Sequence, residues 1–328
     1  MKKLFIFFLF FALLFVVCFT YMEIGSSDIS FLGFLLRGGD DASLRVIYIR
    51  LVQLFSVFVS GASLALSGFV LQRILKNPLI DPGITGVLSG SALGYVIASY
   101  LLPSFGTSFL FWKALFSFLF GLVPGFVLIL VSLYSKDSIG VIILGVVLNV
   151  FISSLVVFVQ SFFDPNTLSS VFAWMMGSVG FSDFGVVLVY LGIVIFVLIL
   201  IVLLSRYVDV LSIGEVDAQV LGIDVRLWRS VFLVLSIVLS SISVLLTGIV
   251  GFVGFVVPNT LTLLAYRCRV LNTSNIVILN FVLGGTFLAF SHMVAKIIVG
   301  GYELPLGVVT GIIGAPIFAI FLTNLIFK

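Results

Sequence analysis

The chain has 328 residues, 62% hydrophobic and only 9% charged, with a formal net charge of +3. Soluble domains average roughly 25% charged residues, so this composition cannot cover a water-facing surface and points to a bilayer as solvent. Scattered basic residues exclude a nucleic-acid interface, and two distant cysteines, Cys18 and Cys268, exclude a disulfide framework or a cysteine metal motif.

Apolar runs bounded by charges and turn residues predict an all-α integral membrane protein of about ten spans. They fall near 4–22, 46–72, 83–102, 108–133, 139–160, 184–205, 230–250, 252–268, 275–298 and 304–327. Lys2 and Lys3 precede the first run, which ends without a small-residue cleavage pattern and is read as a retained span. Non-spanning stretches follow at Glu23–Leu44, at Asp164–Gly180 around Trp174, and at Tyr207–Trp228.

The stretch 230–266 is too long for one span and is broken by Gly248, Gly251, Gly254 and Pro258. A single crossing would put Arg226 and Arg229 inside but Arg267 and Arg269 outside; a reversal near the glycines keeps all four inside. With the reversal, Lys2, Lys3, Arg73, Lys76, Lys136, Arg206, Arg226, Arg229, Arg267, Arg269 and Lys328 lie inside, leaving Arg37, Arg45, Arg50, Lys113 and Lys296 outside. This 11 to 5 division of the 16 cations sets both termini on the cytoplasmic side. Glycines recur in oppositely running spans, Gly61 and Gly68 against Gly248, Gly251 and Gly254, as in an inverted repeat.

The chemistry available inside such a bundle is narrow. Apart from His292, no group titrating near neutrality lies well within a span, and no Asp, Glu, Lys or Arg is expected near a midplane, which argues against an ion-coupled carrier. One histidine cannot build a His-Glu-x-x-His zinc site, and a serine–histidine dyad at His292 is the only enzymatic alternative. No phosphate-binding G-x-x-x-x-G-K-[ST] loop occurs, so nucleotide-driven transport would need a separate ATPase subunit holding the ATP and Mg. The acidic, semi-apolar stretch 207–228 then reads either as a docking surface or as an amphipathic interfacial connection.

Three passages narrow these choices: SGASLALSGFVLQRILKNPLIDPGITGVLSGSALG at 60–94, GEVDAQVLGIDVRLWR at 214–229 followed by GIVGFVGFVVPN at 248–259, and ELPLGVVTGIIGAPIFAIFL at 303–322. In colinear order from about residue 45 they resemble the FecCD-type permeases of ABC importers for iron siderophores, haem and cobalamin. The resemblance implies a ten-helix cytoplasmic-membrane subunit that pairs with a second copy of itself or a homologous permease. It also implies two cytoplasmic ATPase subunits and an extracytoplasmic substrate-binding protein.

By that resemblance the ATPase-coupling residues are Leu211, Gly214, Glu215, Ala218, Leu221 and Gly222, and an inner gate falls at Asp137–Ile139, around Ser138. Gly68 and Gln72, the inner turn of Asn77, Pro78, Asp81 and Pro82, and the tenth-span residues Gly307, Gly311, Gly314 and Pro316 fall to the translocation path or to helix packing. The turn also makes sense without any transport role, since Asn and Asp cap helix ends and Pro fixes φ. Docking to the binding protein falls to Arg50 and Lys296, with Arg45 in reserve; simple interfacial snorkelling is the alternative. Two departures from the family pattern stand out: RLVQ at 50–53 replaces Arg-x-Pro-Arg, and Asn259 replaces a histidine after Pro258. An iron chelate is the favoured cargo, with haem, cobalamin and molybdate as alternatives, and an ATP-independent channel or secondary transporter is the reading from another class.

Overall fold

The computed structural model describes residues 2–25, 29–102, 109–134, 138–179, 183–268, 271–298 and 303–326. Their helices are α1 (Lys2–Glu23), α2 (Phe31–Arg37), α3 (Asp41–Ile74), α4 (Val87–Leu101), α5 (Phe109–Tyr134), α6 (Ser138–Gln160) and α7 (Pro165–Met175). They continue with α8 (Phe184–Leu203), α9 (Ser205–Ile213), α10 (Glu215–Val220), α11 (Val225–Thr247), α12 (Val253–Cys268), α13 (Thr273–Ile298) and α14 (Leu306–Ile326), and a 3₁₀ turn at Pro82–Thr85 precedes α4. Among the described residues, seven helices, α1, α3, α5, α6, α8, α11 and α13, are long and apolar enough to cross a membrane; α4, α12 and α14 are shorter apolar helices. Each of these ten helices overlaps one of the apolar runs read from the sequence, with ends that differ by up to five residues. Of the inner gate segment, Ser138 and Ile139 open α6, whereas Asp137 lies outside the described residues, as do the inner cations Lys136, Arg269 and Lys328.

Aspartates set several helix starts. Asp40, Asp164, Asp183 and Asp224 each accept a backbone N–H from the first turn of the following helix, so α3, α7, α8 and α11 begin where a short acceptor satisfies otherwise unpaired donors. Asp224 accounts for α11 starting at Val225, ahead of the apolar run read from residue 230.

The bundle is organised around α3, which is buried along most of its length against α11, α12 and α13. Its small residues permit this close approach. A side chain at Gly61 would collide with the Gly284 carbonyl, and one at Gly68 with the Gly254 carbonyl. Backbones therefore pack directly, as small-residue faces allow in lipid. Hydroxyls complete the seam: Ser60 Oγ lies 2.6 Å from both Ser243 Oγ and Thr247 Oγ1, and Ser67 Oγ lies 2.9 Å from Ser240 Oγ. The glycines that suggested an inverted repeat are thus, in part, partners in one contact.

These pairings fix the directions. Ser60 meets Ser243 and Thr247 while Ser67 meets Ser236 and Ser240, so α11 runs antiparallel to α3. Next, Gly254 meets Gly68 and Gln72, and Asn259 meets Pro78, so α12 runs parallel to α3. The chain has turned back, and Arg226, Arg229 and the end of α12 share one end of the bundle. From Arg50 to Gln72 is 22 residues of α3, about 33 Å at 1.5 Å per residue, comparable to a hydrocarbon core of about 30 Å. The reversal at the Ser60 level therefore sits about halfway along this length, inside the bundle. Gly248 at φ 69° and Phe252 at φ 68° make it, and the Trp174 carbonyl closes over Gly248 too tightly for any side chain there.

Candidate functional site

Among the described residues, polar chemistry gathers in three assemblies: at the end of the bundle that the sequence reading places inside, in an open cavity, and at the opposite end, which that reading places outside.

At the end shared by Arg226, Arg229 and the end of α12, α9 packs on α3, α8, α11 and α13, and α10 packs on α9 and α11. Tyr207 stacks on Trp228 of α11 with ring centres 3.8 Å apart, Ser205 Oγ lies 2.9 Å from Ser274 Oγ, and Thr273 donates to Asp209. Leu211 and Ala218 are buried and anchor this layer, whereas Leu221 and Gly222 are exposed. Of the coupling set read from the sequence, Leu211 and Ala218 thus face the core and Leu221 and Gly222 face outward. Ile213, Val216 and Val220 do project outward, Val220 with 82% exposure, and with Leu221 they form an apolar ridge. Sequence reasoning missed these three; Ile213 ends α9, and Val216 and Val220 lie one turn apart on α10 at i, i+4 spacing. Gly222 closes α10 at φ 77°, where its N–H bonds the Gln219 carbonyl and Ile223 N–H bonds the Ala218 carbonyl.

Glu215 opens α10. Its Oε1 accepts from Ser138 Oγ at 2.6 Å and from Arg229 Nη2 at 2.7 Å, joining α10 to the first residue of α6 and to α11. Arg229 is fully buried, and its Nε and Nη1 have no hydrogen-bond partner among the described residues.

The inner turn is a tightly bonded structural unit. Asn77 Oδ1 accepts from Leu79 N–H, Asp81 Oδ1 accepts from Gly83 N–H at 2.8 Å, and Pro82 starts the 3₁₀ turn. Gln72 Nε2 donates to the carbonyls of Ile80 and Gly254, and Asn259 Nδ2 donates to those of Pro78 and Phe255. Asn259 thus pins α12 to the turn. Burial pushes the Asp81 carboxyl up to about 6, against the opposing pull of the Gly83 N–H.

A cavity of about 460 Å³ opens between α4, α6, α7 and the reversal, with Asp81, Ser89, Asn149, Ser153 and Gln160 among its polar lining and Phe172 and Met175 among its apolar lining. Of the path residues read from the sequence, Asp81 reaches it. Gly68 and Gln72 are enclosed by α12, and Gly307 and Gly314 pack on Met176, Ile249 and Phe252 of the same chain. The glycine face of α14 is therefore spent within the subunit. Its opposite face, with Val308, Ile312, Pro316 and Ile320, is exposed, as are Ile143, Val147, Val150 and Phe151 of α6.

At the outer end, Arg50 is 4% exposed and its Nη1 donates to the carbonyls of Met22 and Ile29, fastening the α1–α2 loop. Lys296 is 8% exposed; its Nζ donates to Gln53 Oε1 at 2.6 Å and lies 3.9 Å from Glu303 Oε1. Tyr21 Oη is 2.7 Å from His292 Nδ1, and His292 Nε2 is 3.6 Å from Glu303 Oε2. The imidazole beside Glu303 holds its carboxyl below the usual carboxylate range, with Lys296 contributing. Arg50 and Lys296 are thus turned inward, held by groups of their own chain, whereas Arg45 is exposed. His292 has tyrosine and carboxylate neighbours and, among the described residues, no serine hydroxyl bonded to it, so the serine–histidine dyad does not form there. Among the described residues, no three His, Cys, Asp or Glu side chains form a group that could hold a metal ion.

The pattern of the FecCD transport family matches residues 8–324. The chain belongs to the FecCD transport family. Among FecCD-related proteins, it is 37% identical over 276 residues to the vitamin B12 import system permease protein BtuC of Vibrio vulnificus, covering 82% of this chain and 80% of that one. It is 30% identical over 278 residues to a probable iron chelatin transport system permease protein of Helicobacter pylori, covering 84% and 81%. A solved metal-chelate type ABC transporter in an inward-facing conformation superposes with a TM-score of 0.84 at 29% identity, covering 97% of this chain and 99% of that one. This FecCD chain is accordingly a multi-pass ABC-type transport permease with the helical fold that its sequence resemblance implied.

Proposed function

We propose that this permease moves an iron chelate into the cytoplasm as one of two permease subunits, driven by two ATPase subunits that bind α9 and α10. The observation that carries this is the apolar ridge of Ile213, Val216, Val220 and Leu221, exposed at the same bundle end as Arg226 and Arg229. Such a ridge in water is unfavourable unless covered. It stands on a layer bonded to α6, which lines the cavity.

The rest of the assembly follows from the surfaces left open. The exposed apolar faces of α6 and α14 suit a second copy of the chain, or a homologous permease, with the passage between them. ATP and Mg belong to the ATPase subunits. The bacterial cytoplasmic membrane is the setting, with ten crossings and both termini inside, and the binding protein meets the opposite end. There Arg45 offers an exposed cation, and Arg50 and Lys296 support the surface from beneath.

The iron-chelate assignment is supported by the Helicobacter relative and by the metal-chelate type structure. Cobalamin is the second reading, favoured by the 37% identity to the Vibrio permease. Co-expression with the ATPase subunit of its own system tests the central contact. The unaltered chain is expected to co-purify with it, and Val216→Asp combined with Val220→Asp is expected to abolish this. Retention by the doubly charged variant would place the contact elsewhere.

A further inference from the structure

The geometry points to the Glu215 carboxylate as the tie that passes movement of the ATPase-bound layer to the inner end of α6, an inference that rests on the proposed docking of ATPase at α9 and α10. One oxygen, Oε1, receives both Ser138 Oγ and Arg229 Nη2, so three elements meet at a single atom. Ser138 is the first residue of α6 and is itself buried, so displacement of α10 along its axis pulls directly on the helix that lines the cavity. The connection is charge-assisted and short, hence stiff compared with the apolar contacts beside it.

Arg229 gives the tie a second possible arrangement. It is 1% exposed, yet Nε and Nη1 have no partner among the described residues, while Nη2 alone holds Glu215. A buried guanidinium with two idle donor nitrogens is costly, and a carboxylate shifting along it from Nη2 toward Nη1 or Nε would keep the ion pair throughout. Glu215 can thus slide on Arg229 without being released into a low dielectric, and Ser138 moves with it. In this scheme Glu215 is a positioning residue; it touches neither nucleotide nor cargo.

The test is a double-mutant cycle in the complete reconstituted importer, using Ser138→Ala, Glu215→Gln and the pair. Three quantities are read: ATPase subunit bound, ATP hydrolysed, and chelate imported per ATP. Ser138→Ala removes one hydroxyl and is expected to leave subunit binding and hydrolysis near the unaltered level while lowering import per ATP by about tenfold, the scale of losing one hydrogen bond to a charged group. The double variant is expected to be no worse in import per ATP than the more affected single variant, because both substitutions cut the same link. Multiplying effects, or normal import per ATP in Ser138→Ala, would overturn the tie. If Glu215→Gln fails to assemble, Ser138→Ala alone decides. Failure of the unaltered chain to bind any ATPase subunit would instead overturn the proposed docking.

Discussion

Lys296 Nζ donates to Gln53 Oε1 at 2.6 Å, joining the outer ends of α13 and α3. The resemblance read from the sequence expects an arginine where this chain has Gln53. A guanidinium there would meet the buried ammonium, whereas the Gln53 carbonyl accepts from it. Gln53→Arg should therefore destabilise the protein by about 1–3 kcal/mol, as expected for exchanging a buried hydrogen bond for a like-charge contact, and Lys296→Gln should restore much of it. Thermal unfolding in detergent checks this. Additive losses in the double variant would show that the residues do not interact.

Asn259 donates to the Pro78 carbonyl at 2.8 Å and to the Phe255 carbonyl at 2.9 Å. Asn259→Ala should orphan the Pro78 carbonyl, at a cost of about 1–3 kcal/mol, and loosen the inner turn. Asn259→His, which supplies a ring N–H donor and the residue that the sequence resemblance expects there, should retain most of the stability. Limited proteolysis at the turn together with thermal unfolding distinguishes the two; equal behaviour of both variants would mean that the donor is unimportant.

Much of the fold was legible because lipid leaves few solutions: an apolar run must become a helix, and the cation bias required the chain to reverse between Arg229 and Arg267. That reversal is present. Its depth was not legible, because the collision of Gly68 with Gly254 and of Gly248 with the Trp174 carbonyl depends on which helices meet. For the same reason the residues that Gly307 and Gly314 pack against, Met176 and Phe252 of the same chain, were not legible. Arg50 and Lys296 read as docking cations because charge and depth along a span are visible in a linear sequence, whereas the direction in which a long side chain turns is not. The resemblance expects a coupling role for Glu215 and a gate role for Ser138; their hydrogen bond joins segments 77 residues apart and needed the fold.

Gly68→Ala tests the packing seam. The added methyl meets the Gly254 carbonyl and the backbone around it, so α3 and α12 must separate. A loss of about 1–3 kcal/mol is expected, typical of overpacking in a tight interior. Gly192→Ala is the control, because nothing lies within 4 Å of a side chain there. Equal thermal stability of the two variants would contradict the seam.

Asp81 gives a pH dependence with a defined sign. Burial raises its carboxyl from 3.8 to about 6 in the folded protein, so between these values the folded state binds more protons than the unfolded state. Its contribution to stability is therefore greatest at low pH and declines as pH rises through about 6. Asp81→Asn keeps an oxygen for the Gly83 N–H but cannot titrate. Relative to that variant, the unaltered protein should gain thermal stability on acidification from about pH 7 to about pH 5. Parallel pH profiles would contradict the shift.

The most direct test of the account is uptake by proteoliposomes containing the permease, its ATPase subunit and its binding protein, supplied with an iron chelate. Accumulation that requires ATP and stops when the ATPase subunit is omitted is the predicted result. Uptake by the purified permease alone, without ATPase or ATP, would contradict it.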